Sequence, residues 1–347
     1  MIRRATTLSQ KRAAPRIALM AFEFFTPNGL SASNLAEVTA FLDSQNTGHP
    51  FQFPQWAAPQ TRFAARRESG RIVWFSSFGV QPLLGSRLNW PRAARLNRGP
   101  VCDDEGLFSD SLNEFAEQMR REKAVYVDAA PERPLAALPD RSLFDHGWSA
   151  LDEGRFSMRL DVTKAAEEIL ARFRPTTRYK VRKAERAEVQ VRAAVGEEDA
   201  EEFLQLYART VISKGFPADR PDHLRGIIRW LIAGPARGAL LLAWLGSAAV
   251  GGAVIVRSGR RCWYVWGAND RREDFSVGHL VQWHAILWAK AQGCTEYDFG
   301  GYTPGAISGP AFFKEGFSGE PVHFVPIHRK VVRPALYPIC RMIPVAR

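Results

Sequence analysis

The chain has 347 residues, of which 46% are hydrophobic, and it contains ten tryptophans and 22 phenylalanines. This supplies apolar surface for real cores and length for two domains of common size, which excludes a disordered polypeptide. The net charge of +11 and the isoelectric point of 9.8 favour an anionic partner, such as nucleic acid, a nucleotide, a phospholipid surface or an acidic substrate. The charge does not choose among these partners, since arginine-rich chains carry such charge without a polyanionic partner.

The cysteines and histidines form no metal or redox motif. The four cysteines contain no CxxC pair, and their scarcity in a chain of this size is typical of a reducing cytosol. His279 and His284 are five residues apart, as are His323 and His328. Two ligands on one helical face need a spacing of about three or four residues. We therefore expect no metal site.

The N-terminal sequence predicts a tail and not a membrane span. Residues 1–16 are basic and polar, which indicates a flexible segment. The apolar patch from Ile17 to Phe25 is interrupted by Glu23 and lacks a cleavage site. No run approaches the roughly 20 apolar residues of a spanning helix. The sequence predicts a cytoplasmic protein and leaves open a peripheral contact with the anionic inner face of the membrane.

The first predicted elements form a compact unit between residues 62 and 130. Residues 62–67 and 71–80 predict two hairpin strands around a Glu-Ser-Gly turn. Residues 106–122 have apolar side chains at helical spacing, with aspartate early and arginine late, as the helix dipole favours. Residues 124–130 predict a short buried strand.

The second half repeats this order of strands, helix and strand at larger scale. Helices are predicted at 197–213, 222–233 and 276–292, and strands at 239–245, 249–257, 262–268 and 295–301. The repeated order indicates an α+β fold made of two related domains, with mixed sheets flanked by helices.

Between the halves, residues 171–192 hold eight basic residues against two acidic ones, a local charge of +6. Arg178, Arg182 and Arg186 recur every four residues, so on a helix they form one cationic stripe. One interpretation is a grip on phosphate groups, in which Lys183 would take part with Arg178 and Arg182. The other is an ordinary solvated helix face.

The most informative segment is TEYDFGGYTPGAISGPAFFKEGFSGEPVHF, residues 295–324. It leads from a buried strand into a long glycine-rich loop, and such loops in compact chains are more often functional than idle. The loop leads into Phe312, Phe313 and Lys314. A lysine flanked by aromatic residues can stabilise a developing negative charge or a phosphate. The alternative is a surface loop with a solvated lysine.

Seven segments of the chain form an ordered set: HPFQFPQWA (49–57), Gly-Pro (99–100), FDHGW (144–148), RYKVRKAERAEVQVR (178–192), YARTVISKGF (207–216), AQGCTEYDFGG (291–301) and FFKEGFSGE (312–320). In this order they resemble the Fem-type aminoacyltransferases, which build the peptide bridges of peptidoglycan and consist of two GNAT-like domains. The ordered set is fairly specific to this superfamily but not to one reaction within it.

The resemblance implies a domain division and a reaction. A first GNAT-like domain would comprise 17–155 and the returning chain end, 320–347, and the second would comprise 156–319. The reaction would be an acyl transfer, in which an amine of the acceptor attacks an activated ester or thioester. The family's catalytic Phe-Lys pair falls on Phe313 and Lys314, and its basic position that grips the acceptor's diphosphate falls on Lys214.

The residues around this pair suit acyl transfer, which passes through a tetrahedral oxyanion. A cation beside the oxyanion contributes about 10²–10³ in rate, and Lys314 is the candidate for it. Asp298 and Tyr302, at the end of the preceding strand, are candidates for steering or deprotonating the amine. The alternatives are that Asp298 braces the Gly300-Gly301 turn and that Tyr302 only packs.

The implied acyl donor is aminoacyl-tRNA or acyl-CoA, with no tightly bound cofactor. Users of acyl-CoA usually carry an Arg/Gln-x-x-Gly-x-Gly/Ala loop, whose backbone N–H groups hold pyrophosphate. The corresponding stretch here, RREDFSVGHL (271–280), keeps Gly278 but not that spacing. The chain also shows no inserted coiled-coil arm of the kind that some bridge-forming members have, which makes specialised tRNA handling less certain.

Three functional hypotheses follow. The leading one is a Fem-like aminoacyl or acyl transferase acting on a phosphate-bearing acceptor such as a cell-wall precursor. The second is an acyl-CoA-dependent N-acyltransferase of polysaccharide or secondary-metabolite synthesis. The third is a catalytically inactive protein that binds RNA or a membrane through the basic segment.

Overall fold

The fold was analysed in a computed structural model that describes residues 21–84, 90–137, 146–270 and 276–341. The predicted tail at 1–16 lies outside these ranges, as do the first two residues of FDHGW and the RREDF part of the 271–280 stretch. Strands and helices are numbered below in chain order through the whole molecule.

The first sheet takes its strands from both ends of the described chain. Its strands are β1 (Glu23–Phe25), β2 (Arg62–Glu68), β3 (Arg71–Pro82), β4 (Arg92–Asn97), β5 (Ala124–Ala130), β6 (Trp148–Ala150) and β14 (His328–Val331). They lie side by side in the order β1-β2-β3-β4-β5-β14-β6. β4 and β5 run parallel, whereas the other neighbouring pairs are antiparallel.

Two long helices cover this sheet, α1 (Ala32–Ser44) and α2 (Glu105–Arg121). α2 begins at Glu105 because the Asp104 carboxylate accepts a hydrogen bond from the Leu107 N–H, at 2.7 Å. The phenylalanines of its apolar face, Phe108 and Phe115, are fully buried in the core of this domain.

The second sheet follows the first along the chain. Its strands are β7 (Phe156–Asp161), β8 (Gln190–Ala193), β9 (Gly238–Leu245), β10 (Ala248–Ser258), β11 (Arg261–Asn269), β12 (Glu296–Tyr302) and β13 (Glu320–His323). Their order in the sheet is β13-β7-β12-β11-β10-β9-β8. The helices that follow α2 are α3 (Ala166–Arg172), α4 (Pro175–Arg186), α5 (Glu197–Lys214), α6 (Pro221–Ala233), α7 (Val277–Ala291), α8 (Gly309–Glu315) and α9 (Tyr337–Cys340).

The predicted α+β class, with mixed sheets flanked by helices, is confirmed. The predicted long helices and the three-stranded meander of the second half occur within one or two residues of their expected bounds. The predicted loop at 300–320 is wrong in one respect, because Phe312, Phe313 and Lys314 lie on helix α8. Ser308 caps this short helix by accepting a hydrogen bond from the Ala311 N–H at 3.3 Å, and a proline occupies its first turn.

The sheets do not divide the chain at residue 320. β13 pairs antiparallel with β7 of the second sheet, with Glu320 opposite Arg159 and His323 opposite Phe156. The chain then crosses to the first sheet, where β14 lies beside β5. Residues 320–347 thus contribute one strand to each sheet, and the division into domains stays a prediction.

The segment that follows α1 packs against α6 and against β11 of the second sheet. Trp56 stacks on Trp266 of β11, with ring centroids 5.0 Å apart and an interplanar angle of 17°. Phe53 packs against Trp230 of α6, with centroids 5.6 Å apart. The HPFQFPQWA segment of the family pattern thus joins the two halves of the chain.

An ion pair supports the same interface. The Asp43 carboxylate accepts hydrogen bonds from both terminal nitrogens of Arg237, at 2.5 and 2.6 Å, and from the Gly259 N–H at 3.0 Å. Both charged side chains are largely shielded from water, with exposed fractions of 26% and 15%. Such a bidentate contact is stronger than an exposed ion pair.

We expect Asp43→Ala to lower the free energy of unfolding by about 2 kcal/mol, because Arg237 and the Gly259 N–H both lose their acceptor. Urea unfolding monitored by tryptophan fluorescence measures this. The control is Asp222→Ala, which removes an 86% exposed carboxylate from its pair with Arg225 and is expected to cost less than about 1 kcal/mol. Equal unfolding midpoints for the two variants would show that the Asp43 contact adds nothing.

Candidate active site

A cleft of about 540 Å³ lies along Tyr264–Asn269, the part of β11 that is not paired with β12. The two strands pair in parallel over three positions, from Arg261 opposite Glu296 to Trp263 opposite Asp298. Beyond this point they part, which leaves backbone N–H and C=O groups of β11 facing the opening. Such groups need hydrogen-bond partners, so a ligand or water is expected between the strands.

The cleft is lined by the end of α5, by β11, by the start of α7 and by α8. Its walls are largely apolar and include Phe216, Val265, Trp266, Val281, Pro310 and Phe313. Its polar side chains are Tyr207, Thr210, Lys214, Tyr264, Asn269, Ser276, Gln282 and Lys314. An apolar cavity with a few convergent polar groups is the usual form of a small-molecule site.

Lys314 lies at this cleft, half-buried on α8. Its ammonium group donates one hydrogen bond, to the Gly301 carbonyl oxygen. Burial lowers the pKa of Lys314 to about 8, while the nearby Asp298 carboxylate acts in the opposite direction. Because a lysine ammonium has three N–H donors, the others remain for a ligand in the cleft.

Phe313 lines the same cleft and fixes the position of α8. Its ring packs edge-on against His279 of α7, with centroids 4.8 Å apart, and against Phe317 at 5.3 Å. These contacts join α8 to the start of α7. Phe313 therefore helps to orient the helix that carries Lys314.

Lys214 faces the cleft from the opposite side, at the end of α5. Gly215 terminates the helix in the left-handed conformation, with φ of 65°. The ammonium group of Lys214 is 3.4 Å from the side-chain oxygen of Asn269, and the side chain is otherwise exposed. The structure thus brings Lys214, Phe313 and Lys314 to one cavity.

Asp298 lies beneath the cleft and not on its surface. It is 1% exposed, and its carboxylate accepts hydrogen bonds from the Ser157 hydroxyl, from the Gly300 N–H at 2.8 Å and from Arg159 Nε at 3.1 Å. These contacts match the bracing interpretation of Asp298. Its role in steering or deprotonating an amine stays a prediction.

Tyr302 belongs to a brace beside the cleft. Its hydroxyl donates to Glu315 at 2.8 Å, and Arg174 at the start of α4 donates to the other carboxylate oxygen at 2.9 Å. The hydrogen bond to Glu315 raises the pKa of the Tyr302 phenol. The brace ties the end of α8 to α4, and the predicted contact of Tyr302 with the amine is untested.

The cationic stripe lies on α4, as its spacing predicted, but its members differ. Arg178 donates to the carbonyl oxygens of Ala171 and Phe173, so it terminates α3. Arg182 is exposed and Lys183 half-buried, and neither forms an ion pair with any residue that the structure describes. None of the three lines the cleft, so they form a separate basic surface.

A serine and a histidine at the cleft were not anticipated. The hydroxyl of Ser276 is 2.6 Å from Nδ1 of His279. Burial, and to a smaller extent Lys180, lowers the pKa of His279 to about 4, so the ring is neutral at pH 7. No sequence pattern predicts this pair, because a serine and a histidine three positions apart at a helix start are common.

Residues 171–315, which include every element around the cleft, match the family described as acetyltransferase (GNAT) domain. The matched segment is thus a GNAT-type acyltransferase domain. The crystal structure of FemX is similar to the whole chain, with a TM-score of 0.76 and 17% identity over 92% of this chain and 99% of that one.

Two further structures resemble this chain. L-PGS from Bacillus licheniformis has a TM-score of 0.61 and 13% identity, over 92% of this chain and 98% of its own. A tandem GNAT protein from the clavulanic acid biosynthesis pathway has a TM-score of 0.51 and 12% identity, over 90% and 99%. No protein of curated function matches the sequence. At these identities the likenesses show the fold, which is the expected tandem GNAT-like arrangement.

In the ranges that the structure describes, no cluster of histidine, cysteine, aspartate and glutamate side chains is arranged to hold a metal ion. No helix in the same ranges combines the length and the apolar character of a bilayer span.

Proposed function

We propose that the GNAT domain transfers an activated acyl group to an amine of a phosphate-bearing acceptor, such as a cell-wall precursor. The observation that carries this proposal is the convergence of Lys214 and Lys314 on one largely apolar cleft. One cation serves the reacting centre and the other the phosphate of the acceptor. Aminoacyl-tRNA is the donor that the resemblance to Fem-type enzymes implies.

The proposed step is a direct displacement at the acyl carbon. The neutral amine attacks the ester or thioester carbonyl, and the negative charge that develops on the oxygen is stabilised by the Lys314 ammonium. When the intermediate collapses, the bond to the leaving oxygen or sulfur breaks and an amide forms. The proton lost by the amine balances the charge of the leaving group.

The proposal assigns phosphate contacts to the two basic surfaces. Lys214, at the rim of the cleft, is suited to the phosphate of the acceptor, because a lysine ammonium binds phosphate as a point charge. Arg182 and Lys183 on α4 are suited to the backbone of a tRNA donor, or to an anionic membrane surface if the acceptor is a lipid. The guanidinium of Arg178 would contribute charge only, since it is bonded to α3.

The pH dependence of the reaction tests the role of Lys314. The ammonium form is present below its pKa of about 8 and is lost as the pH rises through that value. We therefore expect kcat/KM to fall as the pH rises through about 8. The assay needs an acceptor amine that is already neutral at pH 7, so that its own titration does not contribute. A rise through the same range would instead make neutral Lys314 a proton acceptor.

The donor decides between this proposal and its closest alternative, an acyl-CoA-dependent N-acyltransferase. The alternative is favoured by the family match, which is to an acetyltransferase domain. The test incubates the protein with charged tRNA and, separately, with acyl-CoA, each with added amines. The proposal predicts transfer from charged tRNA that ribonuclease abolishes. Transfer from acyl-CoA alone would favour the alternative.

A third candidate is an inactive protein that binds RNA or membranes through α4. It predicts binding that weakens steeply with salt and no transfer from either donor. If both donors stay intact at high protein concentration while RNA is bound in this way, the transferase proposal is wrong. Both donors are cytoplasmic molecules, so the proposal implies a cytoplasmic protein.

A further inference from the structure

Gln282 presents a polar group to the cleft that no neighbour satisfies. It lies on α7 with 2% of its surface exposed, and it lines the cavity. Its Oε1 accepts a hydrogen bond from the hydroxyl of Tyr297, at 2.7 Å, and Tyr297 is fully buried. Among the residues that the structure describes, none pairs with the other end of this amide. The hydroxyl of Tyr297 thus fixes the orientation of an amide group with a free donor.

The phenol of Tyr264 is a second unpartnered group in the same cleft. No hydrogen bond joins its hydroxyl to any described residue. The hydroxyl lies against Gly267, where a Cβ would be only 1.7 Å from its oxygen, so a larger residue at this position would displace the Tyr264 ring. Burial raises the pKa of Tyr264 to about 12, which keeps the hydroxyl protonated.

The amide nitrogen of Gln282 and the hydroxyl of Tyr264 both lack a hydrogen-bond partner among the described residues. Neither the Gln282 amide nitrogen nor the Tyr264 hydroxyl is sealed off from the cleft, so each can reach water or a ligand there. Native proteins satisfy nearly all such groups with protein, water or ligand. The surrounding walls, formed by Val265, Trp266 and Val281, are apolar. A neutral hydrogen-bonding group of a substrate would satisfy both side chains.

We infer that the amide of Gln282 and the hydroxyl of Tyr264 form a subsite for the transferred acyl group. The subsite takes an acyl group that carries a hydroxyl substituent in preference to the same acyl group without it. This inference rests on the proposed function, because it assigns the acyl group to this cleft.

The distribution of charge in the cleft indicates that the acyl group, and not a phosphate, occupies this subsite. Gln282 and Tyr264 are neutral, whereas a phosphate is matched by the cations at Lys214 and Lys314. Gln282 also follows the first residue of α7 by five positions, about 7.5 Å along the helix, which sets it below the helix start. The substituent of the acyl group would therefore bind in the apolar interior of the cleft.

The test measures equilibrium binding of two pairs of probes whose acyl groups differ by one hydroxyl. One pair is the seryl and alanyl amides of 3′-amino-3′-deoxyadenosine, which mimic the charged end of tRNA without hydrolysing. The other is 3-hydroxypropionyl-CoA and propionyl-CoA. We expect the wild-type protein to bind the hydroxylated member of at least one pair about tenfold more tightly, as one satisfied hydrogen bond allows.

Substitutions show which side chains cause the preference for the hydroxylated probes. Gln282→Leu and Tyr264→Phe are each expected to reduce the preference to less than about twofold, and Tyr297→Phe to reduce it partly, since it only releases the amide. Gln292→Leu, the same change at the far end of α7, is the matched control and should keep the wild-type preference. If Gln282→Leu fails to fold, Tyr264→Phe alone decides.

The outcomes separate the subsite from the reaction. A wild-type preference below about twofold in both pairs overturns the subsite, whether or not transfer occurs. Failure of all four probes to bind also overturns it. A preference that Gln282→Leu abolishes, in a protein that transfers from neither donor, supports the subsite and removes the proposed reaction.

Discussion

Lys314→Ala is expected to lower kcat/KM for acyl transfer by about 10²–10³, because the oxyanion loses the one cation that α8 brings to it. The ammonium group is held by a hydrogen bond to the Gly301 carbonyl oxygen, so its position does not depend on substrate. The rate of transfer from the donor that proves active, measured at saturating acceptor, tests this. The loss should appear in kcat, since the charge that Lys314 meets develops only during the reaction.

Lys290→Ala provides the control for this substitution. Lys290 lies in the last turn of α7, away from the cleft, and its ammonium contacts the Thr163 carbonyl oxygen at 3.3 Å. We expect transfer by this variant to stay close to the wild-type rate. If Lys314→Ala transfers as fast as Lys290→Ala, Lys314 has no part in the mechanism.

Asp298→Ala is expected to lower the free energy of unfolding by about 3 kcal/mol, because the buried Arg159 loses its hydrogen-bonded carboxylate and keeps only longer contacts with Glu296, at 3.6 Å, and Glu132, at 4.0 Å. Arg159 is 7% exposed, and the Ser157 hydroxyl and the Gly300 N–H lose their acceptor at the same time. Denaturant unfolding measures the effect. Asp161→Ala, at the exposed end of the same β7 strand as Arg159, is expected to cost about 1 kcal/mol or less.

The same pair of variants distinguishes the two roles considered for Asp298. A bracing carboxylate predicts that stability and transfer decline together in Asp298→Ala. If the variant unfolds at the wild-type denaturant concentration but no longer transfers, Asp298 acts on the amine and the bracing account is wrong.

The parts of the fold that follow local periodicity could be predicted from the sequence. The helix at 197–213 and the meander strands have long, regular apolar patterns, and they occur as α5 and as β9 to β11. The sequence did not predict α8, because a helix of seven residues between glycines is too short to show a periodic apolar pattern. It is stabilised by its capping serine and by packing. The place of β13 depends on pairing with a strand about 160 positions earlier, which no local pattern reveals.

The candidate site divides in a similar way. Lys314 and Lys214 stand out because charged residues in glycine-rich or helix-ending segments are easy to recognise. The stripe position of Arg178 suggested a phosphate contact, but its guanidinium bonds to backbone carbonyls at the end of α3, a local alternative that spacing cannot distinguish. Tyr264 and Gln282 sit in apolar runs, and their free polar groups emerge only once β11 and β12 part.

The central claim, that acyl transfer takes place in this cleft, is tested most directly by filling it. Gly278 lies in the first turn of α7, where a Cβ would meet nothing nearer than the Phe313 ring at 3.7 Å. The measurement compares transfer by Gly278→Phe with transfer by Gly106→Phe, the same change in the first turn of α2 outside the cleft. The account predicts that Gly278→Phe loses transfer by about 100-fold or more while Gly106→Phe keeps it. Wild-type transfer by a folded Gly278→Phe protein would contradict the account.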